Sequence, residues 1–234
     1  SGNNRDFTPN TGEEPSYNAT DSNFNNKSSL EFDAATAFTS GDSLRYTGGA
    51  IIGDGTQAAA KFFVVRPEAH PASTALPHAY AEYDSADPSD LNARNWLIQL
   101  NGLFANASRD YAYENGGSDV DTLGGGNISN NVTYIIGRAI GTGAPTDLHA
   151  TVGDRQTIDG NAGFIVNSTN AKDTTPTNST SASVIGGRSD DNFGRRWNGQ
   201  IAEVIIYTKA LTIAEANDVV TYLGDKYGVA VTLF

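Results

Sequence analysis

Only one segment of this 234-residue chain carries the complete signature of a helix, and it lies at the very end. Thr212 and Glu215 have capping-box spacing, Ala216, Val219, Val220, Leu223 and Tyr227 recur on one helical face, and Gly228 supplies a stop. Ahead of it, apolar residues alternate with polar ones or form short continuous runs, as strands do. A long series of strands closed by one amphipathic helix restricts the chain to an all-β architecture in which the helix covers a sheet.

The strands can be placed along the chain. Ser29–Asp33 and Asp42–Tyr46 alternate between polar and apolar residues, so each has one face for the core. Lys61-Phe-Phe-Val-Val-Arg66 carries a continuous apolar run and ends at Pro67, which marks a strand covered on both faces. Pro67 to Pro88 is rich in proline and small residues and reads as loop, with a short strand at Ala79–Tyr83. Asn95–Leu100 is a strong strand. Asn101-Gly102 is a signal for a two-residue type I′ hairpin, with Asp110–Glu114 as its return. Asn131–Arg138, a hairpin over Ile158–Val166, Ser183–Gly187 and Gly199–Tyr207 complete the series, and Gly124-Gly-Gly126 reads as a turn. Asn167–Ser181 is a Ser, Thr and Asn tract of loop character. Residues 1–28 are polar with almost no apolar spacing. The expected organisation is therefore an N-terminal arm or loop over 1–28 and one domain over 29–234.

Charge narrows the partners. Fifteen basic against 27 acidic residues leave a formal charge of −12, which repels nucleic-acid phosphates and anionic membrane surfaces. With no cysteine there is neither a disulfide framework nor a thiolate metal site. No stretch approaches the roughly 20 apolar residues of a membrane helix.

The closing segment carries a resemblance. Trp197-Asn-Gly-Gln-Ile-Ala-Glu-Val-Ile-Ile-Tyr207, a turn ending in Ala210-Leu211, and a helix finishing in Tyr222-Leu-Gly-Asp-Lys-Tyr-Gly228 resemble the end of the concanavalin A-like, laminin G-like superfamily of bacterial and phage surface proteins. Leu30–Asp33 and Asp42–Leu44 resemble its opening pair of strands, while Pro67 to Thr180 does not align. The resemblance implies a two-sheet antiparallel jelly-roll sandwich with one short C-terminal helix and an extracellular, cell-surface or virion-surface location. Because this fold carries lectins, adhesins, glycosidases and structural modules, it does not fix an activity.

Candidate chemistry has to come from the side chains. Glu82 and Asp84 fall two apart on one strand face, as a glycosidase carboxylate pair would require, with Asp87 beyond. This is similar to the Glu-x-Asp-x-x-Glu signature of laminarinase-type hydrolases, but the last acid is Asp, Pro88 follows it, and the apolar flanks are missing, so no catalytic residue is assigned. Asp84, Asp87 and Asp90 crowd a loop and make the first choice of Ca²⁺ ligands, since a hard cation gathers carboxylate and carbonyl oxygens on flexible loops. For a carbohydrate or other surface ligand, Tyr111 and Tyr113 offer an aromatic platform. Asp191, Asn192, Arg195 and Arg196 offer planar polar groups, and the guanidinium forks suit acidic sugars. Trp197 reads as core packing, and His70, His78 and His149 as surface residues without ligand spacing.

The sequence thus describes a non-catalytic, lectin-like binding module of an adhesin or phage receptor-binding protein, with Ca²⁺ as its expected cofactor. Two alternatives stand beside it: a structural or decoration subunit whose N-terminal arm reaches a neighbouring subunit, and a polysaccharide-active enzyme.

Overall fold

The structure is a computed structural model. It describes residues 5–34, 40–49, 51, 59–69, 77–83, 94–101, 107–112, 120–127, 130–140, 157–158, 161–162, 182–187, 196–209, 211–231 and 233. Among these, two antiparallel sheets form a jelly-roll sandwich. The first is five-stranded, in the order β1 (Ser16–Asp21), β2 (Lys27–Phe32), β13 (Gly199–Tyr207), β4 (Ala59–Pro67), β9 (Tyr134–Ile140). The second is six-stranded, in the order β3 (Leu44–Tyr46), β12 (Ala182–Ile185), β5 (His78–Tyr83), β6 (Arg94–Asn101), β7 (Ala107–Ala112), β8 (Val120–Asn127). A small hairpin pairs β10 (Thr157–Ile158) with β11 (Asn161–Ala162), and one helix, α1 (Ile213–Tyr227), closes the chain.

The continuous apolar run of β4 is explained by two cores. Phe63 and Val65 point into the layer between the sheets, with Phe32, Tyr80, Tyr134, Ile136, Trp197 and Ile201. Ala60, Phe62 and Val64 point the other way, beneath Ala216, Val220, Leu223 and Tyr227 of α1. Each large side chain buried there is worth about 1.5–3 kcal/mol, so the helix is fastened by its apolar stripe and not by helical propensity alone. Its ends match the sequence signals. Thr212 Oγ1 accepts from Glu215 N at 3.1 Å, Glu215 Oε2 accepts from Thr212 N at 2.8 Å, and Gly228 closes in the left-handed region at φ 69°.

In β13, Ile201 pairs with Val65 but Glu203 with Val64, so a bulge at Ala202 shifts the alternation by one residue. The shift turns Glu203 toward α1, where Lys226 Nζ donates to its Oε2 at 3.0 Å.

Three expectations change. Residues 16–28 are not an arm: Ser16–Asp21 is β1, paired with β2, because tertiary pairing supplies the hydrogen bonds that its weak apolar pattern does not announce. Asn101 pairs with Ala107, so the β6–β7 hairpin has a five-residue connection and not a two-residue turn at Asn101-Gly102. Gly124–Gly126 lie within β8, where glycine hides a strand from propensity reasoning.

The N-terminal segment folds back onto its own chain. Thr8 and Arg45 exchange both backbone hydrogen bonds at 2.9 Å, and the rings of Phe7 and Tyr46 lie 6.1 Å apart. This covers the β3 edge of the second sheet, an edge that would otherwise be open to pairing.

Candidate functional site: a cleft beside the first strand

The β1–β2 hairpin is shaped by one acid and two asparagines. Asp21, almost fully buried, accepts from Asn23 N at 2.9 Å and from Ser29 Oγ at 2.6 Å, which starts a 3₁₀ turn over Ser22–Phe24. Asn25 and Asn26, at φ 53° and 58°, then reverse the chain, a conformation asparagine tolerates better than other residues with a Cβ. The resulting register puts Tyr17 opposite Leu30. Residues directly opposite share a face, and Leu30 packs on the inter-sheet core. Tyr17 therefore faces inward, yet it is 70% exposed.

What lies beneath Tyr17 is a cleft of about 260 Å³, lined by Tyr17, Ser28, Ser29, Leu30, Ile185, Ile201, Ala202, Glu203 and Val204. Among the described residues, Ile185, the last residue of β12, is the lining residue from the second sheet. The wall is largely aliphatic, the exposed Ser28 supplies a hydroxyl group while that of Ser29 is spent on Asp21, and one exposed ring borders the cleft. Among the described lining residues the carboxylate, Glu203, is engaged by Lys226. A surface of this kind can hold the apolar face of a ligand against a ring and hydrogen-bond a few of its polar groups.

Of the ligand-binding residues expected from sequence, Tyr111 and Arg196 lie within the described residues, and neither is among those lining the cleft. Tyr111 lies on β7, opposite Leu97 and Asp121, well across the second sheet from β3 and β12. Tyr113, Asp191, Asn192 and Arg195 lie outside the described residues, as do Asp84, Asp87 and Asp90. Among the described residues no three His, Asp or Glu side chains gather as a metal site requires.

Arg196 is 3% exposed, and its guanidinium grips Glu13 with both terminal nitrogens, NH1 to Oε2 at 3.2 Å and NH2 to Oε1 at 3.1 Å. Ser43 Oγ donates to the same carboxylate at 2.7 Å, and Arg45 NH2 lies 3.6 Å from it. Burial pushes the Glu13 carboxyl up, but the Ser43 hydroxyl and the two arginines outweigh it and hold the group below its ordinary value. The fork foreseen for an acidic sugar thus clasps an acid of the chain itself and fastens the N-terminal segment.

Glu82 is fully buried, on the inward face of β5. Its Oε1 accepts from Tyr80 Oη at 2.5 Å, from the Ile51 amide at 2.9 Å and from Ser183 Oγ at 3.3 Å. Burial, then the neighbouring Glu82 charge, drives the Tyr80 phenol well above its ordinary value. The carboxylate closes a polar knot inside the sandwich and faces no open substrate groove. His78, expected at the surface, is fully buried on the same strand, and Trp197 is fully buried in the core as its place before the Asn-Gly pair implies.

Sequence reasoning missed Tyr17. The available signal was a lone aromatic in the run Pro15–Thr20, where its strand-spaced neighbours Pro15 and Ala19 offer no large apolar companion.

No protein-family model matches the chain, and no curated protein matches it. Solved structures do. Domain 4 of an extracellular GH43 arabinanase from Geobacillus stearothermophilus, in complex with arabinotriose, matches at 18% identity and TM-score 0.54, over 91% of this chain and 86% of that one. The binding domain of a paraclostridial mosquitocidal protein matches at 14% identity and TM-score 0.60, over 94% and 48%. Tailspike protein 2 of an Escherichia coli bacteriophage, CAB120, matches at 13% identity and TM-score 0.58, over 94% and 27%. This chain therefore spans about a quarter of the tailspike and about half of the toxin's binding domain. At such identities the shared property is the β-sandwich fold.

Proposed function

We propose that this chain is a non-catalytic, carbohydrate-binding module of a secreted or virion-surface protein, and that a sugar ring of its ligand seats against Tyr17 in the cleft beside β1. The observation that carries this reading is a tyrosine 70% exposed at the mouth of an aliphatic, serine-bearing cleft. The CH face of a sugar stacks on such a ring, and its hydroxyls hydrogen-bond the flanking Ser28. Two fold relatives add support: the arabinanase domain was solved with arabinotriose, and the toxin fragment is a binding domain. The docking of residues 7–13 on their own β3 edge weighs against an arm that reaches a neighbouring subunit.

The test is a glycan array followed by calorimetry on the strongest hit, with arabino-oligosaccharides included. Covering about half of the exposed ring removes roughly 70 Å² from water, worth about 1.5–2 kcal/mol. Tyr17→Ala should then weaken binding by about ten- to thirtyfold. A Tyr17→Ala variant that binds every array ligand as tightly as the parent would sink the assignment of the site.

A further inference from the structure

The free edge of β1 points to a second kind of partner. β1 ends the first sheet, and Ser16 to Thr20 are exposed. Native edge strands are commonly guarded by lysine, by proline or by an inward charge, because an unpaired row of N–H and C=O groups templates another strand. Within Ser16–Thr20 none of these guards is present. Pro15 only bounds the strand, and the register irregularity lies past Asn18, so Ser16–Asn18 keeps regular geometry.

The two faces beside this edge differ sharply. On the inward face stand Tyr17 and, across the hairpin, Leu30. On the outward face Ser16 lies opposite Glu31, with Asp33 two residues further along the same strand direction, while Glu68 is held by Arg66 at 3.0 Å. Burial, then repulsion from Glu68 and Asp33, lifts the Glu31 carboxyl above its ordinary value.

We propose that the β1 edge takes up an extended peptide of alternating basic and apolar residues, which adds as a further strand to the first sheet. Backbone hydrogen bonds to the edge hold it. Its apolar side chains pack over Tyr17 on the inward face, and its lysines or arginines meet Glu31 and Asp33 on the outward face. Such a peptide suits a basic strand of another protein. A second copy of this chain, with its charge of −12, suits the edge poorly.

The experiment titrates the whole chain with Ac-(Lys-Val)4-NH2 and, in parallel, Ac-(Glu-Val)4-NH2, and follows amide hydrogen exchange residue by residue. The expected result is slowed exchange at Ser16–Asp21 with the lysine peptide only. Its affinity should fall about fivefold in Glu31→Lys, whose melting curve reports that the fold is intact, and by a similar factor in about 0.5 M salt. Equal binding of both peptides, no slowing at β1, or slowing that grows with protein concentration in the absence of peptide would each overturn the proposal. The last outcome would assign the edge to a second copy.

Discussion

Replacing Glu13 by Gln tests how the N-terminal segment is held. The substitution keeps the shape of the side chain and removes its charge, leaving Arg196, at 3% exposure, without its bidentate acid. Breaking a fully buried ion pair from one side costs about 3–5 kcal/mol. Glu13 is 21% exposed, which screens the interaction, and Gln still offers one acceptor oxygen, so the expected loss falls to about 1–2 kcal/mol. For a domain of this size that lowers Tm by about 2–8 °C at pH 7. The pH dependence has a definite sign. A carboxyl held below its ordinary value of 4.5 contributes stability that is fully present above that pH and is lost as pH falls through its folded value. Glu13→Gln should therefore fall furthest behind the parent above pH 4.5, and the gap should narrow as pH falls below it. Urea denaturation at pH 7 and pH 3 makes the comparison. A variant as stable as the parent at pH 7, or one whose deficit persists undiminished at pH 3, would refute the clasp.

Four further outcomes follow from other parts of the molecule. Gly199 sits at φ 133°, and a Cβ there would run into the Arg66 carbonyl oxygen, so Gly199→Ala should cost about 2–4 kcal/mol by chemical denaturation. Leu223→Ala leaves a cavity under α1 and should cost about 2–5 kcal/mol; a loss below about 1 kcal/mol would show that the helix does not seal the second core. Glu31 has the opposite linkage to Glu13: its raised carboxyl destabilises the charged form, so Glu31→Gln should raise Tm slightly at pH 7 and lose that advantage below the ordinary value of 4.5. For Ca²⁺, which we propose is bound through Asp84, Asp87 and Asp90, saturation at about 100 times Kd should stabilise the chain by roughly 2.7 kcal/mol; an unchanged melting curve at millimolar Ca²⁺ would remove those residues as ligands.

How far the sequence led depended on where each signal is written. The helix was legible because its cap, stripe and stop are local, and Thr212, Glu215 and Gly228 play the parts their spacing implies. β4 was legible because burial on both faces enforces the unbroken apolar run Phe62–Val65. β1 was not, since five of its six residues are exposed and its strand character comes from pairing with β2. β8 was hidden by three glycines whose usual meaning is a turn. Arg196 shows the limit for sites: a guanidinium expected to grip a ligand's carboxylate grips Glu13, 183 residues away in sequence, a partner that no local pattern announces.

The same asymmetry explains why the cleft lies where it does. α1 seals the outer face of β13, β4 and β9 and reaches the β1–β2 connection, where the rings of Phe24 and Tyr227 lie 6.0 Å apart, but Ser16–Thr20 are exposed and belong to neither core, and among the described residues the second sheet meets the cleft at Ile185. β1 thus contributes little to either core, and substitutions along Ser16–Thr20 should change stability by less than about 0.5 kcal/mol each, the ordinary range for exposed positions. A segment so lightly committed to stability is free to vary in what it contacts. Recognition placed there can change without unfolding the sandwich, whereas the same change on β4 would disturb two cores at once.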